Sequence, residues 1–553
     1  MPFVWIGAGV LALTLAVAGA TSRFMRPAPA SGPSDAGNAH QAARARTPEV
    51  SSHVEVSRRA WLDANVDRAR EEARAALRSN ENDAAAHLAI VVATPFWPDN
   101  EARSHFVHAQ EGRDRLSQLE SAYLEAVAPA MTVPPNFRLS AERLATLHQN
   151  APDDLPIHLG LAEMLMRTEE IEKAHDLLAP LGKDANAPAV VLSELGTAQS
   201  FRDDVESARA TFSRCLEGYP AATGCATLLA QLEQNEGRCA GAERVLRRSL
   251  SLFPNSAGTY LSLAYDLQGM AVSPSEIRPV LERWARFSDG AAMERNLVRT
   301  EIRMALLEGR LREAVKLDAK LGKLMADVDD DEEQFDYTLY SMLLKAEVGQ
   351  RADATKALDA YIARRHGLMR SSYGGDNVLY LVSVGARLGL VPWPKWLEQR
   401  NARLAVVTDR DGMLDSHSRK WLEYFAMPAA TEASAKEALD VLPQYLPILH
   451  RIGRWFWHDG AIGRVYMLMG RHVEARPYFE RAAASCNALE DLVQHTHALL
   501  DFASLLERTG DSKRACEMYD RVLGRWPAHS GSVSAARASQ RRRSLCGPLL
   551  PDH

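Results

Sequence analysis

The sequence predicts an all-α fold, a right-handed solenoid of antiparallel helix pairs preceded by a single apolar N-terminal helix. Small residues recur at fixed offsets, each time followed by an aromatic residue or leucine. Alternating strand patterns and strand-turn-helix phosphate motifs are scarce over the same length. With 46% apolar and 25% charged residues, the chain can bury a substantial core. Its 553 residues suit three or four ordinary domains, or one extended repeat array.

The first element is "FVWIGAGVLALTLAVAGA", residues 3 to 20, eighteen positions without a charge. That is at the short end of a helix that spans a bilayer, and "AGA" at 18 to 20 resembles a small-residue cleavage site. No Lys or Arg precedes it, whereas Arg23 and Arg26 follow, which taken alone places that side in the cytoplasm. Residues 1–26 therefore read as a membrane anchor or export signal. The expectation is a cell-membrane protein with its repeats outside the cytoplasm. The alternatives are release after cleavage near Ala20, or repeats facing the cytoplasm. Gly7, Gly9 and Ala12 imitate a dinucleotide fingerprint, but no strand precedes them. Residues 27–50 are rich in Pro, Ala, Ser and Gly and read as a flexible tether.

From 51 to 365 an N-terminal array is expected. Pro220 and Pro254 lie 34 residues apart, and Gly196, Ala208, Phe212 and Pro220 stand at offsets 0, 12, 16 and 24. Ala230, Ala242, Leu246 and Pro254 repeat those offsets, and Ala162, Ala174 and Leu178 fall on the same grid. So do Gly463, Ala475 and Phe479, and then Ala503, Ala515, Tyr519 and Pro527, which define a C-terminal pair with a capping helix over 456–546. Weaker copies carry Ala69 and Ala73, Gly309 and Ala314, and Gly349 and Ala354. The small residues let two helix backbones approach, and the larger one fills the hole beside them. Gly237, Gly470 and Gly510 fall where a first helix ends, a position that favours left-handed backbone. The prolines close second helices. Residues 95 to 150 are helical in pattern but leave the grid. Residues 366–455, with Trp393 and Trp396 among prolines, read as degenerate helices at a boundary between two blocks, with a hinge as the alternative.

This pattern resembles the tetratricopeptide repeat, a helix pair of about 34 residues. Residues 440 to 546, with "AAASCNALED" and "GDSKRACEMYDRVLGRW", are similar to the repeat region attached to certain bacterial serine/threonine protein kinases. In that family a kinase domain comes first, then one membrane span, then the repeats. This sequence has no Gly-rich loop with a lysine strand, no "HRD" and no "DFG". The resemblance thus implies a sensory or scaffolding module without the kinase, or a coding sequence that continues upstream of Met1. It also implies that first-helix residues line a concave groove that holds a protein or peptide. On this sequence those positions are Glu163, Arg167, Gln231, Gln234, Asn235, Tyr265, Arg464, Glu507 and Arg508. Each could equally be an ordinary solvated position.

Catalytic motifs are missing. No phosphate loop, His-Glu-x-x-His or Gly-x-Ser-x-Gly occurs. The run from Asp327 resembles a calcium loop but has Glu332 in place of the glycine and Thr338 in place of the closing glutamate. His458 beside Asp459 fits a packed helix end. No metal, no cofactor and no enzymatic activity are expected, and no carboxylate pair stands out for a helical-solenoid hydrolase. A net charge of -6, with "QRRR" at 540 to 543 as the only dense basic cluster, gives no footprint for nucleic acid. The expected partners are a protein or peptide, the membrane and, as an alternative, a protein kinase. Of the six cysteines, Cys516 with Cys546 and Cys215 with Cys225 flank helix turns within bridging range. The competing reading makes them small buried packing residues.

Overall fold

The computed structural model describes residues 48–94, 100–132, 135–288, 290–365, 374–408, 420–445 and 455–546. The apolar run at 3–20 and most of the tether lie outside the described residues. Among the described residues there is no strand, and no helix is long and apolar enough to cross a membrane.

The helices follow one another in hairpins. They are α1 (Pro48–Leu62), α2 (Val66–Ser79), α3 (Ala84–Val92), α4 (Asn100–Glu111), α5 (Gln118–Val127), α6 (Phe137–Asn150), α7 (Leu155–Arg167) and α8 (Ile171–Gly182). Next come α9 (Ala189–Phe201), α10 (Val205–Gly218), α11 (Thr223–Asn235), α12 (Cys239–Leu252), α13 (Ala257–Gly269), α14 (Pro274–Ala285), α15 (Gly290–Leu307) and α16 (Leu311–Leu324). The chain continues through α17 (Asp331–Glu347), α18 (Arg351–Arg365), α19 (Gly374–Arg387), α20 (Trp393–Thr408), a buried π-turn at Leu422–Ala426, and α21 (Glu432–Val441). It closes with α22 (Phe456–Leu468), α23 (His472–Ala484), α24 (Leu492–Arg508), α25 (Ser512–Arg525) and α26 (Val533–Cys546).

The spacing of small and large residues explains why neighbouring helices sit so close. Ala208, Phe212, Ala242, Leu246, Ala475, Phe479, Ala503 and Ala515 are all 0% exposed. A Cβ on Gly196 would lie 2.5 Å from the Phe212 ring, and one on Gly463 would lie 3.1 Å from Phe479. Each aromatic residue therefore occupies the hole that its glycine leaves. First helices end in left-handed turns at Gly237, Gly470 and Gly510, with φ of 71°, 71° and 78°. Asp154, Asp204, Asp330 and Asp511 cap α7, α10, α17 and α25 by accepting from backbone amides.

The coil turns tightly enough for distant repeats to touch. Gly224 N–H, at the start of α11, donates to the Ala64 carbonyl at 2.8 Å, in the turn between α1 and α2. At the other end, Trp526 Nε1 donates to the Leu306 carbonyl of α15 at 2.9 Å. Glu347, at the end of α17, accepts from Ser534 N–H at 2.9 Å and from the Ser534 and Ser532 hydroxyls, and meets His497 Nε2 at 3.1 Å. Burial opposes ionisation there, but His497 and the two serines hold the Glu347 carboxyl below its ordinary range. One continuous core runs from Ala230 to Ala535, and it takes in Tyr380, Trp396 and Trp421 from the 366–455 segment.

The structure joins Cys215 to Cys225 and Cys516 to Cys546. A third disulfide, Cys239 to Cys486, spans 247 residues and was not anticipated. It ties α12 to the turn after α23. Gly269 makes room for it, since a Cβ there would lie 2.8 Å from both Cys239 Sγ and Cys486 Cα.

Candidate functional site: an acidic and a basic cleft side by side

First helices of the middle pairs and of the C-terminal pairs converge where the coil closes, and two clefts open between them. One has an empty volume of about 330 Å³, solvent-open space included, and is lined by Asp336, Leu339, Tyr340, Trp455, Trp457, Glu490, Asp491 and Gln494. The second, of about 260 Å³, is lined by Arg387, Met427, Trp457, Gly460, Ala461, Arg464, Gln494 and Ala498. Trp457 and Gln494 belong to both.

In the acidic cleft α17 supplies Asp336, Leu339 and Tyr340. Trp455 is the N-cap residue of α22 and stacks on Trp457, with ring centroids 5.1 Å apart and planes 7° from parallel. Asp491 caps α24, accepting from Gln494 N–H and from Gln494 Nε2, each at 2.9 Å. Glu490 is placed by a turn in which its own N–H donates to the Asn487 carbonyl at 3.0 Å. Its side chain is 7% exposed, and Oε2 is buried with no hydrogen-bond partner. Trp457 Nε1 is buried and unpartnered as well.

Of the positive charge nearby, Arg295 and Arg299 are engaged, whereas Arg303 Nη1 is buried without a hydrogen-bond partner. Glu333 holds Arg295 in a two-point contact at 2.8 and 2.9 Å and also takes Arg299 at 2.8 Å. Burial pushes the Asp336 carboxyl up to about 6, against the pull of Arg299 and Arg303. Burial, then repulsion from Asp336, drives Glu490 well above the ordinary carboxylate range although Arg303 opposes it. Asp491 is raised by burial despite its bonds to Gln494. Across the shared wall, Arg387 Nε and Nη2 are buried without partners. Burial, with Arg464 adding repulsion, lowers that guanidinium to about 10. Arg464 itself pairs with Asp501 at 2.9 Å.

Of the residues read from the sequence as groove positions, Arg464 lines the basic cleft. Tyr265 is 2% exposed and lies in the electrostatic environment of Glu490, Asp336 and Arg303. Gln234 is also buried, at 2%, so neither it nor Tyr265 faces solvent, because α11 and α13 are covered where the coil turns back. Gln231 and Asn235 are half-buried on α11. Glu163 and Arg167 are half-buried on α7, where Glu163 faces Glu194. Glu507 holds the capping helix, accepting from Tyr519 Oη at 2.6 Å and from Arg541, and Arg508 is exposed. Sequence reasoning passed over Asp336, Glu490, Asp491, Trp455, Trp457 and Arg387. "RWFWHDG" and "NALED" were in view, but as packing and as family likeness. Asp459 of that first stretch pairs with Arg481 at 2.9 Å. The calcium-like run instead provides the α17 cap and the Arg-binding Glu333. Among the described residues no group of His, Cys, Asp or Glu is arranged to hold a metal ion.

No curated protein matches the chain. Among solved structures it is similar to the crystal structure of yeast Tom70, at 11% identity over 90% of this chain and 95% of that one, with a TM-score of 0.29. It is also similar to the crystal structure of the APC/C hetero-tetramer Cut9-Hcn1, at 10% identity over 90% and 85%, with a TM-score of 0.37. Residues 450–528 match the tetratricopeptide repeat family. That span contains α22 to α25, where glycine, alanine and aromatic residue interlock on the repeat's grid. These C-terminal hairpins thus match the tetratricopeptide repeat within a helical solenoid.

Proposed function

We propose that the protein is a non-catalytic scaffold or sensor that binds a protein or peptide partner across the two clefts. It is tethered to, or exported across, the membrane by residues 3–20. The repeat match supports the first part, since helical repeat arrays present extended surfaces for other chains. The uncharged apolar run supports the second. The carrying observation is the pair of buried, unsatisfied polar groups of opposite sign, Glu490 Oε2 and Arg387 Nε and Nη2, on either side of Trp457 and Gln494. Folded proteins satisfy nearly all buried polar atoms. Two such groups in adjoining clefts suit a ligand that brings both charges with it.

The test is affinity capture with the full chain, comparing wild type, the double variant Glu490→Gln/Arg387→Met, and the exposed control Val473→Ala. A protein retained by wild type and by the control but lost with the double variant is expected. Identical retention by all three would overturn the reading. Partnership with a separate serine/threonine kinase rests on the likeness of residues 440 to 546, and a kinase among the lost proteins would support it. A hydrolase acting through Asp336 and Glu490 is the second reading, favoured by those carboxyls sharing one cleft. Turnover of a glycoside or peptide abolished by Glu490→Gln would replace the scaffold with it.

A further inference from the structure

Glu490 and its surroundings specify what the acidic cleft can accept. Its carboxyl is more than nine-tenths buried and carries an oxygen without a partner. Asp336 and Asp491 line the same space, and the neighbouring Arg295 and Arg299 are held by Glu333. The walls are Trp455, Trp457 and Tyr340. Asp336 and Tyr340 form its more exposed rim, and Glu490 and Asp491 lie deeper. Carboxylates within an aromatic wall are the surroundings that stabilise an organic cation, through a charge-assisted hydrogen bond and the electron-rich ring faces. A neutral group could hydrogen-bond Glu490 but would not compensate its charge, and an anion would be repelled.

We propose that this cleft is a socket for a single ammonium or guanidinium group, presented as a lysine or arginine side chain of the protein partner, with Glu490 as its ion partner. The inference rests on the scaffold reading for the source of the cation, and it adds the chemistry of the contact. It also couples binding to protons. The groups that face Glu490 are Asp336 and Tyr340 from α17, Tyr265 from α13, Arg303 from α15 and the adjacent Asp491. Burial and the acidic neighbours hold the Glu490 carboxyl well above its ordinary range, and burial raises Asp336 beside it to about 6. An arriving cation draws out the carboxylate, and the proton leaves to solvent. Affinity therefore rises with pH through the range in which Glu490 and Asp336 ionise.

The probes are Nα-acetyl-lysine methylamide and its arginine counterpart, titrated into the full chain by calorimetry at pH 6 and pH 8, with acetyl-norleucine methylamide as the uncharged control. The result expected is saturable binding of the cationic probes with proton release, several-fold tighter at pH 8. Affinity should fall at least tenfold in Glu490→Gln, and the norleucine probe should not bind. Asp336→Asn, which leaves Glu490 in place, serves as the second variant and should narrow the pH dependence. No saturation by about 100 mM probe, a range far weaker than a millimolar contact, would overturn the socket. Equal binding of norleucine, or undiminished binding by a folded Glu490→Gln, would do the same. Failure of the probes while partner capture still depends on Glu490 sinks this inference alone. Probe binding with no protein lost in the capture experiment sinks the protein source and the scaffold reading together.

Discussion

Asp266, one position past Tyr265, is wholly buried, and Gln234 is the polar side chain beside its carboxyl, short of full hydrogen-bonding geometry. Burial pushes this carboxyl up to about 8, with Gln234 beside it opposing the rise. In the unfolded chain the group ionises near pH 4, whereas the folded chain keeps its proton to about pH 8. The unfolded state therefore holds fewer protons in between, and stability falls as pH rises through that window. Asp266→Asn removes the dependence. Its melting temperature should exceed that of wild type by clearly more at pH 8 than at pH 5, with a gain of about 2–4 kcal/mol at the higher pH. Scanning calorimetry at the two pH values checks this, and an equal offset at both would contradict it. Sequence alone hid the residue. "AYDLQG" reads as the polar edge of an amphipathic helix, yet α13 buries every side chain from Leu261 to Leu267. Glu490 escaped notice in the same way, because a one-sided periodicity cannot report a helix or turn covered from several directions.

Most first helices end by the same device, and here the sequence was legible in part. Gly237, Gly309, Gly349, Gly470 and Gly510 all adopt φ between 70° and 78° two residues past their helices. The equivalent positions after α1, α7, α9 and α13 hold Ala64, Glu169, Asp203 and Ala271, with φ from 50° to 63°. The left-handed turn is thus set by the hairpin geometry at these nine positions, and glycine is only its easiest occupant. Reading for glycine found the turns at Gly237, Gly470 and Gly510, whereas those after α1, α7, α9 and α13 hold the same conformation on residues that carry a Cβ. A non-glycine residue held in that conformation costs about 1–2 kcal/mol, partly offset by the greater freedom glycine has when unfolded. Ala271→Gly should therefore raise stability by up to about 1 kcal/mol, and Gly510→Ala, at φ 78°, should lower it by a similar amount. Denaturant melts of the two variants test the pair, and a loss from Ala271→Gly would count against a shared turn geometry.

At the scale of the molecule, local rules stop and closure takes over. The offsets describe how a repeat meets its neighbour, and they foretold Gly196 against Phe212 and Gly463 against Phe479. They say nothing about how far the coil turns. The contacts of Trp526 with Leu306, of Glu347 with Ser532 and Ser534, and of Cys239 with Cys486 join segments 185 to 247 residues apart. Reasoning from local turns therefore offered Cys215 with Cys225 and Cys516 with Cys546 as bridges, beside a packing reading of the same residues, and left Cys239 and Cys486 unassigned. The clefts share this origin, since Asp336 comes from α17 and Arg387 from α19, while Trp457, Glu490 and Gln494 come from the C-terminal repeats. Without closure there is no site. Mild oxidation of the folded, fully reduced protein, followed by peptide mapping under non-reducing conditions, examines that closure whatever compartment the protein occupies. A peptide pair joined through Cys239 and Cys486, formed as readily as the two local bridges, is the outcome the closed solenoid requires. Rapid formation of the local bridges with Cys239 and Cys486 left free, or joined to other cysteines, would mean that the C-terminal repeats do not close on the middle ones and that the clefts do not exist.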